Sequence, residues 1–173
     1  MAESMELSQR THAWLRHVGH YWLPPLLWMV MIFVFSTDIF AAQHTTKILW
    51  PVVNNVAPHM PYPQYRRLHR LTRKTAHLLE YATLAGLLLR AFRAGTVGTW
   101  HWRWVTLSFM LVALSAGLDE YHQTYTRYRT GAVSDSMLDM AGGLLALVLL
   151  WLLWRQPAAR ERPPWVWRDT SKE

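Results

Sequence analysis

Stretches without formal charge limit this chain more than any other feature. Tyr21 to Thr37 is a run of 17 residues free of Asp, Glu, Lys and Arg. Three further 15-residue runs lie between Lys74 and Arg90, Arg103 and Asp119, and Asp139 and Arg155; the first of these holds a single acid, Glu80, and the other two hold no formal charge. A membrane-crossing helix needs about 20 apolar residues at 1.5 Å each. Two solutions satisfy this arithmetic. The runs are the buried helices of a soluble bundle, or they cross a bilayer and draw their flanking ionisable residues to membrane depth. Met140 to Trp154 reads MAGGLLALVLLWLLW, apolar on every side, without the polar stripe of a soluble surface helix. Tyr21 to Phe35 reads YWLPPLLWMVMIFVF, and Pro24 and Pro25 are expected at the start of its helix, where proline is tolerated. The membrane solution is favoured. The expected fold is all-α, a four-transmembrane-helix bundle with a long first loop and a polar C-terminal tail. Its expected parts are a cytoplasmic segment over 1–20, a membrane domain over 21–154 and a flexible cytoplasmic tail over 155–173.

Composition narrows the function classes. Apolar residues make up 51% of the chain and charged residues 17%, the reverse of a disordered solvating protein. With no cysteine, disulfides, thiolate metal sites and cysteine nucleophiles are excluded. The net charge of +7 raises nucleic acid as a partner. The basic residues, however, flank apolar runs and form no single interleaved aromatic face, so no nucleic-acid partner is expected. With four spans, nine of the eleven tryptophans fall on the side of the termini and second loop, as in an interfacial aromatic belt. That side carries ten basic residues against eight on the other, which favours cytoplasmic termini. No small-residue cleavage site follows the first apolar run, so that helix is expected to be retained. The first loop, about Gln43 to Thr72, is broken by Pro51, Pro58, Pro61 and Pro63 and ends in the basic stretch RRLHRLTRK. That stretch reads as a solvated face or as an interfacial helix on anionic head groups.

The same threading gathers acids. Asp38 closes the first helix, Glu80 lies on the second, Asp119 and Glu120 close the third, and Asp135 and Asp139 open the fourth. All six fall on the side of the first and third loops. Lys74, His77, Glu80 and Tyr81 follow at i, i+3, i+6 and i+7, one helical face. Asp119 and Gln123 are four apart, as are Asp135 and Asp139. Gly142 and Gly143 suit the close approach of another helix, and with Gly86 they suit contacts within or between chains, so a homo-oligomer is compatible. Ionisable residues at membrane depth cost a few kcal/mol each and mark function by default. A polar pocket in one leaflet is therefore expected, with a helix-stapling polar network as the alternative. Glu80 is expected to be neutral, or paired with Arg127, Arg129, Lys74 or His77.

These residues carry a resemblance. RKTAHLLEYATLAGLLLRAFR (Arg73 to Arg93) resembles the Lys-x-x-His-x-x-Glu-Tyr helix of VanZ-like membrane proteins. LSAGLDEYHQTYTRYRTGAVSDSMLDMAGG (Leu114 to Gly143) is similar to their second signature, in which Asp-Glu, Gln and Arg precede a Gly-x-x-x-Asp-x-x-x-Asn-x-x-Gly helix. Ser36 fits the Phe-Ser that commonly closes the family's first helix. Asp139 stands where the family usually has asparagine, and Tyr125 where phenylalanine is more common. The resemblance implies a small multi-pass protein of the bacterial inner membrane and a link to teicoplanin resistance. The positions that match are Lys74, His77, Glu80, Tyr81, Asp119, Glu120, Gln123, Arg129, Asp135 and Asp139.

Three functions fit this pattern. In a binding protein of the cell envelope, Arg127 and Arg129, aided by Lys74 and the basic stretch before it, hold an anionic lipid head group or lipid-linked intermediate. In an intramembrane enzyme, His77 with Glu80 or Asp119 is the acid–base pair. Its metal-dependent form would gather His77, Glu80, Asp119, Glu120, Asp135 and Asp139 around Mg, Mn or Fe. In an ion pathway the acids and histidine form a relay, but nothing polar continues toward the tryptophan side. No resident cofactor or metal is expected for the binding protein, and its partners are membrane lipids or a lipid-linked precursor.

Overall fold

The computed structural model describes residues 2–37, 39, 41–94, 100–125 and 133–155. Five helices make up the fold: α1 (Ala2–Phe35), α2 (Ala42–Val56), α3 (Tyr62–Arg93), α4 (Trp102–Gln123) and α5 (Val133–Arg155). No strand occurs among the described residues, so the fold is all-α. The second, third and fourth apolar runs each lie within a longer helix, and the first extends two residues past the end of α1.

Helix α3 is the hub. It packs most extensively on α5 and also meets α1 and α4, while α4 packs on α5. The buried core sits where these faces meet, with Tyr81, Leu84, Ala85 and Leu88 of α3, Val112 and Ala116 of α4, Leu147 of α5 and Ile32 of α1. Two glycines set the spacing. A Cβ on Gly142 would run into the backbone carbonyl of Leu78, and one on Gly143 would stand 2.7 Å from Val112 Cγ1. Only glycine lets α5 lie this close to α3 and α4. Outside the core, α1, α4 and α5 present large apolar side chains outward, among them Leu26, Leu27, Val30, Met110, Leu114 and Leu153. That surface is far larger than a soluble protein leaves exposed. By length and composition, two helices are long and apolar enough to cross a membrane, Trp14–Phe35 and Val133–Trp154. The cores of α3 and α4 fall short because His77 and Glu80, and Asp119 and Glu120, interrupt their apolar length.

Two features of the sequence reading are corrected. The long first loop is mostly helical: α2 occupies Ala42–Val56, and the basic stretch is the first half of α3. Pro51 lies inside α2, and the other three prolines punctuate helices. Pro61 is the N-cap of α3, Pro63 sits in its first turn, where the backbone N–H has no helical partner, and Pro58 follows the end of α2. Pro24 and Pro25 lie deep within α1 and do not start it, and α1 runs unbroken through residue 20. Pro24 removes the N–H that would bond to the His20 carbonyl four residues earlier. Arg90 of α3 supplies a replacement, with Nη1 donating to the His20 carbonyl at 3.4 Å and Nη2 to His20 Nε2 at 2.8 Å.

The two ends of the bundle differ. At one end Trp22 meets Phe92, Trp100 meets Trp154, Trp102 meets Trp151, and Arg93 lies 4.0 Å above the Trp154 ring. These are the tryptophans that threading places on one side. At the other end α2 docks on α3. Trp50 packs on Tyr62 and Tyr65, and His69 is flanked by the hydroxyls of Thr45 and Thr46, each at 3.3 Å. Burial, with the nearby Arg73 charge second, holds the His69 imidazole below its ordinary pKa. Residues 95–99, in the second loop, and the tail beyond residue 155 lie outside the described residues.

Candidate functional site

The polar residues of α3, α4 and α5 converge at the α2 end. A cavity of about 340 Å³ opens there. One wall is basic, built from Arg70, Arg73, Lys74 and His77 of α3. The helical period places these four at i, i+3, i+4 and i+7, a single face. The opposite wall is acidic, with Glu120 of α4 and Asp135 and Asp139 of α5, and Gln123 between them. Ala42, at the start of α2, and Leu138 complete the lining.

Burial grades the acidic wall. Asp135 is exposed at the mouth, Glu120 is intermediate, and Asp139 is only 5% exposed. Beneath the cavity a short polar chain ties three helices together. Gln123 Nε2 donates to Asp119 Oδ2 at 2.8 Å and to the Oγ of Ser36, the residue that follows α1, at 3.1 Å. Ser136 of α5 donates to the Ala116 carbonyl of α4 at 3.3 Å. His77 Nδ1 lies 3.5 Å from Glu80 Oε2, one turn deeper on α3. The Trp28 indole of α1 donates to the Glu80 carbonyl at 2.9 Å, which fixes α1 against α3 at this level.

Tyr81 is fully buried, and Asp119 is 5% exposed. Both face a second space on the α1 side, so the residues matched by the sequence motifs divide between two cavities. Of the eleven expected binding residues, Lys74, His77, Glu120, Gln123, Asp135 and Asp139 share the polar cavity. Glu80 joins it through His77, while Tyr81 and Asp119 lie behind it. Arg127 and Arg129, and the helix-closing Asp38, lie outside the described residues. Arg70 and Arg73 belong to the basic stretch expected to aid Lys74, and the i, i+3, i+4 spacing that links Lys74 to His77, continued one turn toward the N-terminus, picks these two out of it.

The arrangement can bind an anion on its basic wall and accept hydrogen bonds from hydroxyl or amine groups on its acidic wall. Among the described residues, no group of three or more His, Asp or Glu is arranged to hold a metal ion. Of the six residues grouped from sequence as metal ligands, His77, Glu120, Asp135 and Asp139 line the polar cavity and Asp119 lines the second space.

The sequence model of the VanZ/LLP1 family matches residues 21–154. No curated protein and no solved structure matches the chain.

Proposed function

The chain belongs to the VanZ/LLP1 family and has the character of a membrane protein, and from that premise we propose that its polar cavity binds an anionic lipid head group or a lipid-linked intermediate of the bacterial envelope. In this reading α1, α3, α4 and α5 cross the inner membrane, both termini are cytoplasmic, and the cavity opens on the opposite face. Residues 1–20 precede the bundle, and 155–173 form a cytoplasmic tail. One observation carries the proposal: a basic wall of Arg70, Arg73 and Lys74 faces an acidic wall of Glu120, Asp135 and Asp139 across about 340 Å³. Arginine forks match phosphate oxygens two at a time, and lysine adds a point charge. The carboxylates opposite hold the arginines in place and accept from sugar hydroxyls or amines. Arg127 and Arg129 are assigned to the same anion. Holding such an intermediate changes its availability to glycopeptides and so teicoplanin susceptibility.

Native mass spectrometry of the purified protein with phosphatidylglycerol tests the reading. Arg73→Ala/Lys74→Ala and Arg129→Ala are each expected to lower occupancy about tenfold, the equivalent of one charge-assisted contact. Undiminished occupancy in both variants would overturn it.

A second reading is favoured by the 3.5 Å contact between His77 and Glu80 at the edge of the cavity. Such a pair suits acid–base catalysis on a lipid phosphate or amide. Turnover of a labelled phospholipid that is lost in His77→Gln would select it over simple binding.

A further inference from the structure

The second space behind the polar cavity has its own chemistry. Helix α1 packs on α3, and α4 packs on α3 and α5, which leaves a crevice of about 440 Å³ between α1 and α4 with Tyr81 of α3 at its floor. That volume is within the range of about 300–1,000 Å³ usual for ligand sites. Its α1 wall is apolar, with Met29, Val30, Ile32 and Phe33, and Leu118 faces them from α4. Phe33 against His122, 4.6 Å between ring centres, closes it at the α2 end. Val30, Phe33 and Leu118 are half or more exposed, so the lip merges with the apolar exterior and opens sideways.

Three polar side chains interrupt this lining. The Ser115 hydroxyl is committed to the Leu111 carbonyl at 2.8 Å. The Tyr81 hydroxyl has no hydrogen-bond partner, nor does Asp119 Oδ1, although the residues are 0% and 5% exposed. Leaving a buried polar atom unpaired costs about 1–3 kcal/mol. Two such atoms beside one open space mark a place where a ligand supplies the missing bonds. A carboxylate oxygen only accepts, so the ligand must donate. A cationic donor makes the stronger, charge-assisted bond to a carboxylate oxygen.

We propose that this crevice is a lipid site, separate from the polar cavity, for an amphiphile with a primary ammonium head. The head donates to Asp119 Oδ1 and the Tyr81 hydroxyl, and an acyl chain lies along Met29, Val30, Phe33 and Leu118. The site rests on the membrane setting of the proposed function but not on its anionic ligand. Gln123, which lines the polar cavity and holds the other oxygen of Asp119, is the partition between the two.

The test uses the full chain in detergent micelles, titrated with phosphatidylethanolamine, phosphatidylglycerol and phosphatidylcholine of matched acyl chains and read by native mass spectrometry. Phosphatidylethanolamine is expected to exceed phosphatidylcholine, which lacks an N–H donor, by about tenfold. Val30→Trp, which fills the crevice from its exposed lip, abolishes that preference, and Tyr81→Phe reduces it. Arg73→Ala, which weakens the polar cavity, leaves it intact. Equal binding of phosphatidylethanolamine and phosphatidylcholine overturns the site. Phosphatidylglycerol binding as tightly as phosphatidylethanolamine in the crevice overturns the ammonium assignment. A preference that survives Val30→Trp but falls with Arg73→Ala assigns the lipid to the polar cavity. Loss of phosphatidylglycerol binding in Arg73→Ala alone concerns only the first reading.

Discussion

Adding one methyl group at Gly142 tests the packing on which both cavities depend. The new Cβ would meet the O, Cα and C atoms of Leu78 together. All three belong to the backbone of α3, so no side-chain rotation relieves the overlap and α3 and α5 must separate. Overpacking a tight interior costs about 1–3 kcal/mol. A contact that cannot yield belongs at the upper end of that range. Replacing glycine by alanine within a helix returns about 1 kcal/mol. The expected net loss for Gly142→Ala is therefore about 1–2 kcal/mol. Gly86 and Gly117 are the internal controls. The nearest atom to a Cβ at Gly86 is Leu150 Cδ1 at 3.9 Å, and at Gly117 nothing lies within 4 Å. Both alanine variants should keep the gain of up to about 1 kcal/mol. Gly143→Ala is intermediate, because its obstacle is the Val112 side chain at 2.7 Å, a β-branched residue with one strongly preferred helical rotamer. Val112→Ala should rescue it, and the double-mutant cycle should show the coupling. Equilibrium denaturation in mixed micelles gives the ranking directly. A Gly142→Ala protein as stable as Gly117→Ala would refute the close approach of α3 and α5 and, with it, the geometry of both cavities.

Four further outcomes follow from particular contacts. The lowered pKa of His69 means that the folded protein binds fewer protons there than the unfolded chain does. Its contribution is therefore full above the ordinary value of 6.5 and declines as pH falls toward the folded value. Hydrogen exchange in α2 should accelerate across that window, and His69→Gln should flatten the response. Gln123→Leu leaves Asp119 Oδ2 and Ser36 Oγ without their donor and should cost about 1–3 kcal/mol in the same denaturation assay. Arg90→Ala uncovers the His20 carbonyl that Pro24 leaves without its helical partner. It should cost about 1 kcal/mol, and less in a Pro24→Ala background where a backbone N–H returns. Ala94 ends α3 with φ at 37°, a left-handed conformation, so Ala94→Gly should raise stability by up to about 1 kcal/mol.

The helices were legible because a run of 15 apolar residues has few other fates, and the convergence of acids because threading parity fixes which end of each helix lies on which side. Gly142 and Gly143 were legible as points of close approach for the same reason: paired glycines in an apolar helix have little other use. Helix boundaries were harder to read. The prolines of the first loop looked like interruptions, yet Pro61 and Pro63 occupy positions whose N–H is unused, and proline there starts a helix. Pro24 and Pro25 misled in the opposite direction, since tertiary contacts from Arg90 sustain the helix around them. In the site, the basic stretch was legible as an aid to Lys74, whereas the choice of Arg70 and Arg73 from within it is set by which face of α3 the cavity occupies. The crevice was not legible at all. It depends on how far α1 stands from α4, and on which oxygen of Asp119 is taken by Gln123. Neither is encoded in local spacing.

Helix α3 has 32 residues and so extends about 48 Å, well beyond the roughly 30 Å of a hydrocarbon core. It carries the aromatic seat for α2, the cationic face of the polar cavity, the floor of the crevice and the arginine that braces α1. A displacement of α2 and an occupant of the crevice therefore bear on one helix, the first at its start and the second at Tyr81.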